Sequence, residues 1–179
     1  MFEFFVSVVL ITLTLYYYFL LADNILGSNG MSTSLRARKK IFEIIGIHAP
    51  QAHIFYDLGC GHGSLSIATQ KKFPQFTTYG IDNNYTRIVV SKIRGWILQS
   101  PVSFVHKNFF DINLRNVDVV YAYLLKECMP PLEKKLLLEL KQGAIIITST
   151  NFLPTWKPIE TYVTKKGKRF EKLFVYRKT

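Results

Sequence analysis

The chain has 179 residues, room for one domain of ordinary size, and its 49% apolar and 20% charged content excludes intrinsic disorder. With 23 basic and 12 acidic side chains the net charge is +11, which favours an anionic partner: an acidic protein, a nucleic acid or a negatively charged membrane surface. The 2 cysteines, Cys60 and Cys128, lie in no Cys-x-x-Cys or Cys/His array, so reduced thiols are expected, with neither a disulfide framework nor a metal site.

Phe4 to Ala22 runs FFVSVVLITLTLYYYFLLA without a charge. About 19 residues at ~1.5 Å each reach about 28 Å, close to the ~30 Å hydrocarbon core of a bilayer. The aromatic run Tyr16, Tyr17, Tyr18, Phe19 suits the interfacial belt. A signal peptide fits less well: Glu3 and no basic residue precede the run, and no A-x-A cleavage site follows. Residues 1–22 are therefore expected to anchor the chain in the membrane lipid bilayer with a single pass. Arg36, Arg38, Lys39 and Lys40 on the following flank place the rest on the cytoplasmic side, or the matrix side in a mitochondrion.

Asp23 to Ser34 (DNILGSNGMSTS) has the chemistry of a linker, which leaves residues 35–179 as one α/β domain. Ser34 is placed to cap a helix carrying Leu35, Ile41, Phe42, Ile44 and Ile45 at near-helical spacing. The period then changes. Ala52–Leu58 reads as a strand, Leu65–Lys72 as a helix and Thr77–Ile81 as a second strand. Arg87–Gln99 reads as helix, Ser103–His106 and Val117–Leu125 as strands, Pro131–Leu140 as helix and Ala144–Thr150 as strand. Glu160–Thr164 and Phe170–Tyr176, around the turn Lys165-Lys166-Gly167-Lys168, form a closing hairpin. Strands alternating with helices predict a mostly parallel sheet that binds its ligand at the carboxyl ends of the strands.

The sharpest motif is Asp57-Leu58-Gly59-Cys60-Gly61-His62-Gly63, between the first strand and the first helix of that sheet. Glycine there lets the backbone turn tightly and a ligand approach closely. A dinucleotide fingerprint would need glycine where Ser64 stands, and Asp57 would repel a pyrophosphate while suiting an ammonium group such as that of a methionine moiety. Asp82, with Asn83 beside it, ends the second strand about 20 residues further on, where a carboxylate accepts ribose hydroxyls. Alone it would be a turn residue; with the glycine loop the ribose role is preferred. After the third strand, Asn108 is placed to bond an adenine edge and Phe109 to pack on its face, the plainer readings being an Asx turn and a core aromatic.

These residues resemble the class I, Rossmann-like methyltransferases that use S-adenosylmethionine. More narrowly, the chain is similar to the membrane-associated protein-lysine methyltransferases that include the enzymes acting on the ATP synthase c-subunit and the adenine nucleotide translocase, with short prokaryotic relatives. The narrower likeness rests on Asn108-Phe109-Phe110-Asp111, Val119 to Leu124, Met129 to Leu136 (MPPLEKKL) and Phe152 to Pro158 (FLPTWKP). It departs at Asn108, where the family often has an acid.

The resemblance implies a seven-stranded methyltransferase sheet with an antiparallel C-terminal hairpin. It puts Asp57, Gly59, Gly61, Gly63, Asp82, Asn83, Asn108 and Phe109 around S-adenosyl-L-methionine. The expected acceptor is a lysine of a protein in or near the membrane. The segment after the fourth strand then supplies the acceptor site, with Tyr121, Tyr123 and Glu127 as polar candidates and Tyr123 as hydrogen-bond acceptor for the amine; a core tyrosine is the plainer reading. The basic stretch Lys165, Lys166, Lys168, Arg169, Lys172, Arg177 and Lys178 suits anionic headgroups.

Rival readings are an RNA methyltransferase and a membrane-bound small-molecule or lipid methyltransferase. Against nucleic acid, Tyr121-Ala122-Tyr123-Leu124 replaces the [DNS]-P-P-[YFW] motif of base-amino methylation, and neither cysteine is placed as a nucleophile.

Overall fold

In the computed structural model, residues 1–26, 33–166 and 169–179 are described, with the side chains of residues 19–26, 166 and 169 left aside. Two compact units result, Met1–Met31 and Ser32–Thr179. In the first, the described residues form one helix, α1 (Phe2–Leu26). Its hydroxyls bond back along the chain, Ser7 to the Glu3 carbonyl at 2.8 Å, Thr12 to Val8 at 2.7 Å and Thr14 to Leu10 at 2.7 Å, so they need no outside partner. Every side chain from Phe2 to Tyr18 is exposed. Among the described residues, however, no helix is long and apolar enough to cross a membrane. The expected anchor, Phe4 to Ala22, runs on past Tyr18 into side chains outside the described set, and the fold itself does not show a transmembrane span.

In the second unit, Ser34 caps α2 (Leu35–His48) by accepting the Ala37 amide at 3.1 Å. There follow β1 (Ile54–Leu58), α3 (Ser64–Lys72), β2 (Thr77–Asp82), α4 (Tyr85–Ile97), β3 (Ser103–His106), β4 (Val119–Ala122), α5 (Met129–Glu139), β5 (Ile145–Ser149), β6 (Glu160–Lys166) and β7 (Arg169–Arg177). They build one seven-stranded sheet in the order β3-β2-β1-β4-β5-β7-β6, in which only β7 runs against the rest, so both of its pairings, with β5 and with β6, are antiparallel. The Rossmann-like sheet and its closing hairpin are as the sequence predicts. Strand order reverses direction at β1, which pairs with β2 on one side and β4 on the other. The crevice at such a switch point is where open α/β sheets take their ligands.

Several boundaries differ from the expected ones for local reasons. α4 starts at Tyr85, two residues early, because Asn84 caps it and accepts the Arg87 amide at 3.1 Å. It ends at Ile97, and Gln99 turns away at φ 49°. β4 stops at Ala122: Val117 and Leu124 are buried in the core but pair with no strand. α5 begins at Met129 because prolines are accepted in a first helical turn, where the amide has no partner to lose. Short 3-10 turns at Phe109–Asp111 and Lys126–Cys128 carry no periodicity a sequence could reveal. Of the expected hairpin turn, Lys165 and Lys166 extend β6, while Gly167 and Lys168 lie outside the described residues.

Two apolar layers cover the sheet. On one face Ile41, Ile44 and Ile45 of α2 pack on Phe55, Val119, Tyr121, Ile147 and Leu173. On the other, Leu132 and Leu136 of α5 pack on Leu58, Val120, Ala122, Ile146 and Tyr176. Burial on both faces explains the near-continuous apolar runs of β4 and β5.

Candidate functional site at the carboxyl edge

The parallel strands end nearly level, since Leu58 pairs with both Ile81 and Ala122, and Asp82 with His106. Gly59, Asp82, Asn108 and Tyr123 therefore leave the sheet along one edge. The glycine loop is tied to that edge by the Gly59 and Cys60 amides, which donate to the Ile81 carbonyl at 2.8 and 3.0 Å. Gly59, Gly61 and Gly63 all have positive φ, at 74°, 55° and 72°. Their surroundings differ. A Cβ on Gly61 would meet nothing within 4 Å, so its surface is open to an incoming group. A Cβ on Gly63 would lie 2.5 Å from the Phe104 ring, which also fills the space beside Gly80 and Gly95. Gly63 thus serves to seat the loop on β3.

Asp82 is buried and holds the loop with both oxygens: Oδ2 accepts the Gly61 amide at 2.9 Å and Oδ1 the Asn84 amide at 2.9 Å. The Asn83 carbonyl accepts from His106 Nε2 at 3.0 Å, which fixes Nε2 as the protonated ring nitrogen. Asn108 Oδ1 accepts the Phe110 amide at 3.0 Å, forming an Asx turn, and Phe109 is a buried core aromatic against Phe110. Both plainer readings of that pair are thus met, without occupying the Asn108 amide nitrogen in that turn.

Asp57 is 2% exposed and accepts Ser66 Oγ at 2.6 Å. Burial pushes its carboxyl up to about 7; the Asp82 charge adds to the rise and the Ser66 hydrogen bond opposes it. A folded pKa above the unfolded value means that the native state keeps a proton the unfolded chain has lost. Its stabilising effect is full below about pH 4 and is lost as pH rises towards about 7. At ~1.4 kcal/mol per pH unit the loss is at most about 4 kcal/mol. Melting of the ligand-free protein from pH 4 to 8 should show this decline, and Asp57→Asn should flatten it. A wild-type profile no steeper than that of the variant would mean that Asp57 stays ionised.

Tyr123 is half-buried and packs against the α2-side core. Tyr121 is fully buried; its hydroxyl shares a hydrogen bond with Thr33 Oγ1 at 2.8 Å and its pKa is raised by burial. Glu127 is exposed in its 3-10 turn. Three neighbours escaped the sequence reading. Ser66 meets Asp57; Arg38, on the first turn of α2, donates to Ser64 Oγ at 3.2 Å while its buried Nε has no hydrogen-bond partner among the described residues; and Glu171 of β7 accepts from Ser149 at 3.0 Å. The Arg38 and Glu171 contacts join segments more than 20 residues apart and have no local signature, whereas Ser66 is brought to Asp57, nine residues before it, by the turn from β1 into α3.

The loops beyond β4 and β5 brace one another. Asn151 Nδ2 donates to the Leu124 carbonyl at 2.8 Å. The buried Glu133 carboxylate accepts the Thr155 amide at 2.9 Å and the Trp156 amide at 2.5 Å. Thus MPPLEKKL and FLPTWKP, far apart in the chain, are one physical unit. Among the described residues no cluster of three or more His, Cys, Asp or Glu could hold a metal ion.

Comparison with known proteins adds chemistry to this geometry. Residues 57–160 match the family described as the ANTKMT methyltransferase domain. A protein-lysine N-methyltransferase of Saccharolobus islandicus (strain REY15A) is 30% identical over 128 residues, 70% of this chain and 80% of that one. A mouse (Mus musculus) lysine N-methyltransferase of the ATP synthase c-subunit is 30% identical over 107 residues, 59% of this chain but only 42% of the mouse protein. Among solved structures, an RNA methyltransferase from Salinibacter ruber in complex with S-adenosyl-L-homocysteine superposes with a TM-score of 0.73. It covers 82% of this chain and 93% of that one at 18% identity, a likeness of fold alone.

Proposed function

The chain belongs to the ANTKMT methyltransferase domain family, and on that footing we propose that this S-adenosylmethionine-dependent methyltransferase modifies lysine side chains of proteins in or near a membrane. The observation that carries the reading is the convergence on one edge of an open Gly61, two buried acids and a braced acceptor side built from the family-like blocks.

The residues fit the cofactor. Asp82 keeps unused lone pairs on both oxygens for ribose hydroxyls, with Asn83 alongside. Gly59 and Gly61 give the backbone its close approach, and Gly63 seats the loop. Asp57 would take the amino group of the methionine moiety. Arg38 Nε, beside the loop at Ser64 and without a partner among the described residues, suits its carboxylate. Asn108 would offer its amide to the adenine edge, with Phe109 packed beside it. When bound, S-adenosylmethionine supplies an electrophilic methyl group on a positively charged sulfur. The chain's part is alignment: Tyr123 accepts a hydrogen bond from the acceptor amine and the braced loops keep that amine in line.

The membrane part of the proposal rests on α1, whose apolar side chains are exposed and whose hydroxyls are satisfied internally. An anchor of this kind confines the catalytic domain, on the cytoplasmic or matrix side, to a thin layer at the bilayer. That raises the effective concentration of membrane targets without a substrate-recognition domain. The basic C-terminal strand suits anionic headgroups. The name of the mouse relative, a lysine methyltransferase for a component of ATP synthase, agrees with such a target.

Mass spectrometry of the membrane proteome, with and without the gene, tests this reading. The expected result is loss of methyl-lysine from at least one membrane protein; loss confined to RNA or to a lipid would shift the assignment to that acceptor.

A further inference from the structure

Beside the acceptor edge a buried carboxylate oxygen stands without a partner among the described residues. Glu171 lies near the start of β7, which runs antiparallel to β5, so it sits at the end of the sheet where the parallel strands finish. It is 2% exposed. Oε1 accepts from Ser149 Oγ at 3.0 Å, while Oε2 has no hydrogen-bond partner among the described residues. Burying a carboxylate half-paired is costly, and such a cost persists where a ligand supplies the missing partner.

Its surroundings are oxygen-rich. Alternation along the strands puts Glu171 on the same face as Leu173, and Ser149 and Tyr121 on the same face as Ile147 and Val119, the face that α2 covers. The Tyr121 hydroxyl is paired with Thr33 at 2.8 Å, and its pKa is raised by burial first, with the Asp57 and Glu171 charges adding to the rise. Arg38, on the same side of the sheet edge, donates to Ser64 at 3.2 Å and makes no ion pair with Glu171 among the described residues.

We propose that Glu171 selects the acceptor: its free Oε2 receives an N–H of the incoming lysine ammonium, with the Tyr121 and Ser149 hydroxyl oxygens as flanking acceptors. This rests on the reading of the acceptor as lysine and deepens it. It also resolves a difficulty, for a protein of net charge +11 repels a cationic side chain at its surface. That repulsion is screened over about 8–10 Å in physiological salt, whereas a buried acid attracts at contact range. Selection acts on the ammonium form prevailing at neutral pH, and transfer of one of its protons to solvent water leaves the neutral, nucleophilic amine.

The test uses the full chain saturated with S-adenosylhomocysteine and two probes, n-butylammonium and n-butyrate. Wild type should bind n-butylammonium in preference to n-butyrate. Glu171→Gln should weaken n-butylammonium binding at least about tenfold. The affinity for S-adenosylhomocysteine should stay the same, and the melting temperature should not fall, because an unpaired buried charge has been removed. Glu171→Met, an apolar replacement of similar length, should lose the amine equally. Equal amine binding in wild type and variants, or no preference for the amine in wild type, overturns the proposal. Methyl transfer to lysine with an unchanged kcat/KM in Glu171→Gln would overturn this inference alone; transfer to RNA or lipid instead of lysine would overturn the function reading beneath it.

Discussion

Replacing Asp82 with alanine should raise the dissociation constant for S-adenosylmethionine by about 100-fold or more. Two charge-assisted hydrogen bonds to ribose are lost, each worth about 1.5–3 kcal/mol at the upper end. Asp82 also holds Gly61 and Asn84 in place, each at 2.9 Å, so the variant should melt at a lower temperature as well. Asp82→Asn separates the two effects. It keeps the shape and one strong acceptor, so stability should recover further than affinity does. Calorimetry with S-adenosylmethionine, run beside a melting curve, measures both. Unchanged affinity in Asp82→Ala would reduce Asp82 to a loop-holding residue.

Gly63→Ala should be the most damaging single change to the glycine loop. Alanine at φ 72° costs about 1–2 kcal/mol, and its Cβ would press to 2.5 Å on the buried Phe104 ring, adding about 1–3 kcal/mol. For a domain of this size the melting temperature should drop by roughly 5–20 °C. Gly61→Ala offers the contrast, because nothing lies within 4 Å of its Cβ position. It should cost only the backbone strain of about 1–2 kcal/mol, yet impair cofactor binding by filling the open surface of the loop. Equal destabilisation by the two substitutions would contradict the division between a packing glycine and a ligand-facing one.

Much of this was legible because it is local. A strand, a glycine turn with an acid before it and a helix after it occupy a few consecutive residues, and Asp82 follows at the end of the next strand. The β–α alternation announced the parallel sheet, and the turn-separated C-terminal runs announced the hairpin. What escaped was set by distance. Glu171 reaches the carboxyl edge only because β7 inserts between β5 and β6 and runs antiparallel. Arg38 reaches Ser64 only because α2 packs across the sheet, and a residue on a charged helical turn looks like a solvated one. Other misses were competitions that a pattern cannot judge. Tyr123 to Leu125 continue an apolar run, but the chain leaves the sheet after Ala122, and Leu124 packs over the Gly59 turn. Asn84 drew the start of α4 two residues forward by capping. The family-like blocks were visible as patterns, but their physical reason, the Glu133 carboxylate gripping the Thr155 and Trp156 amides, was not.

The central claim is methyl transfer from S-adenosylmethionine to a lysine of a membrane protein. It is tested most directly by incubating the full chain with methyl-labelled S-adenosylmethionine and a membrane extract of the source cell, then separating protein, RNA and lipid. The expected result is label in the protein fraction, recovered as N-methylated lysine after complete hydrolysis and absent with Asp82→Ala. Label recovered in the RNA or lipid fraction, with none on lysine, would contradict it.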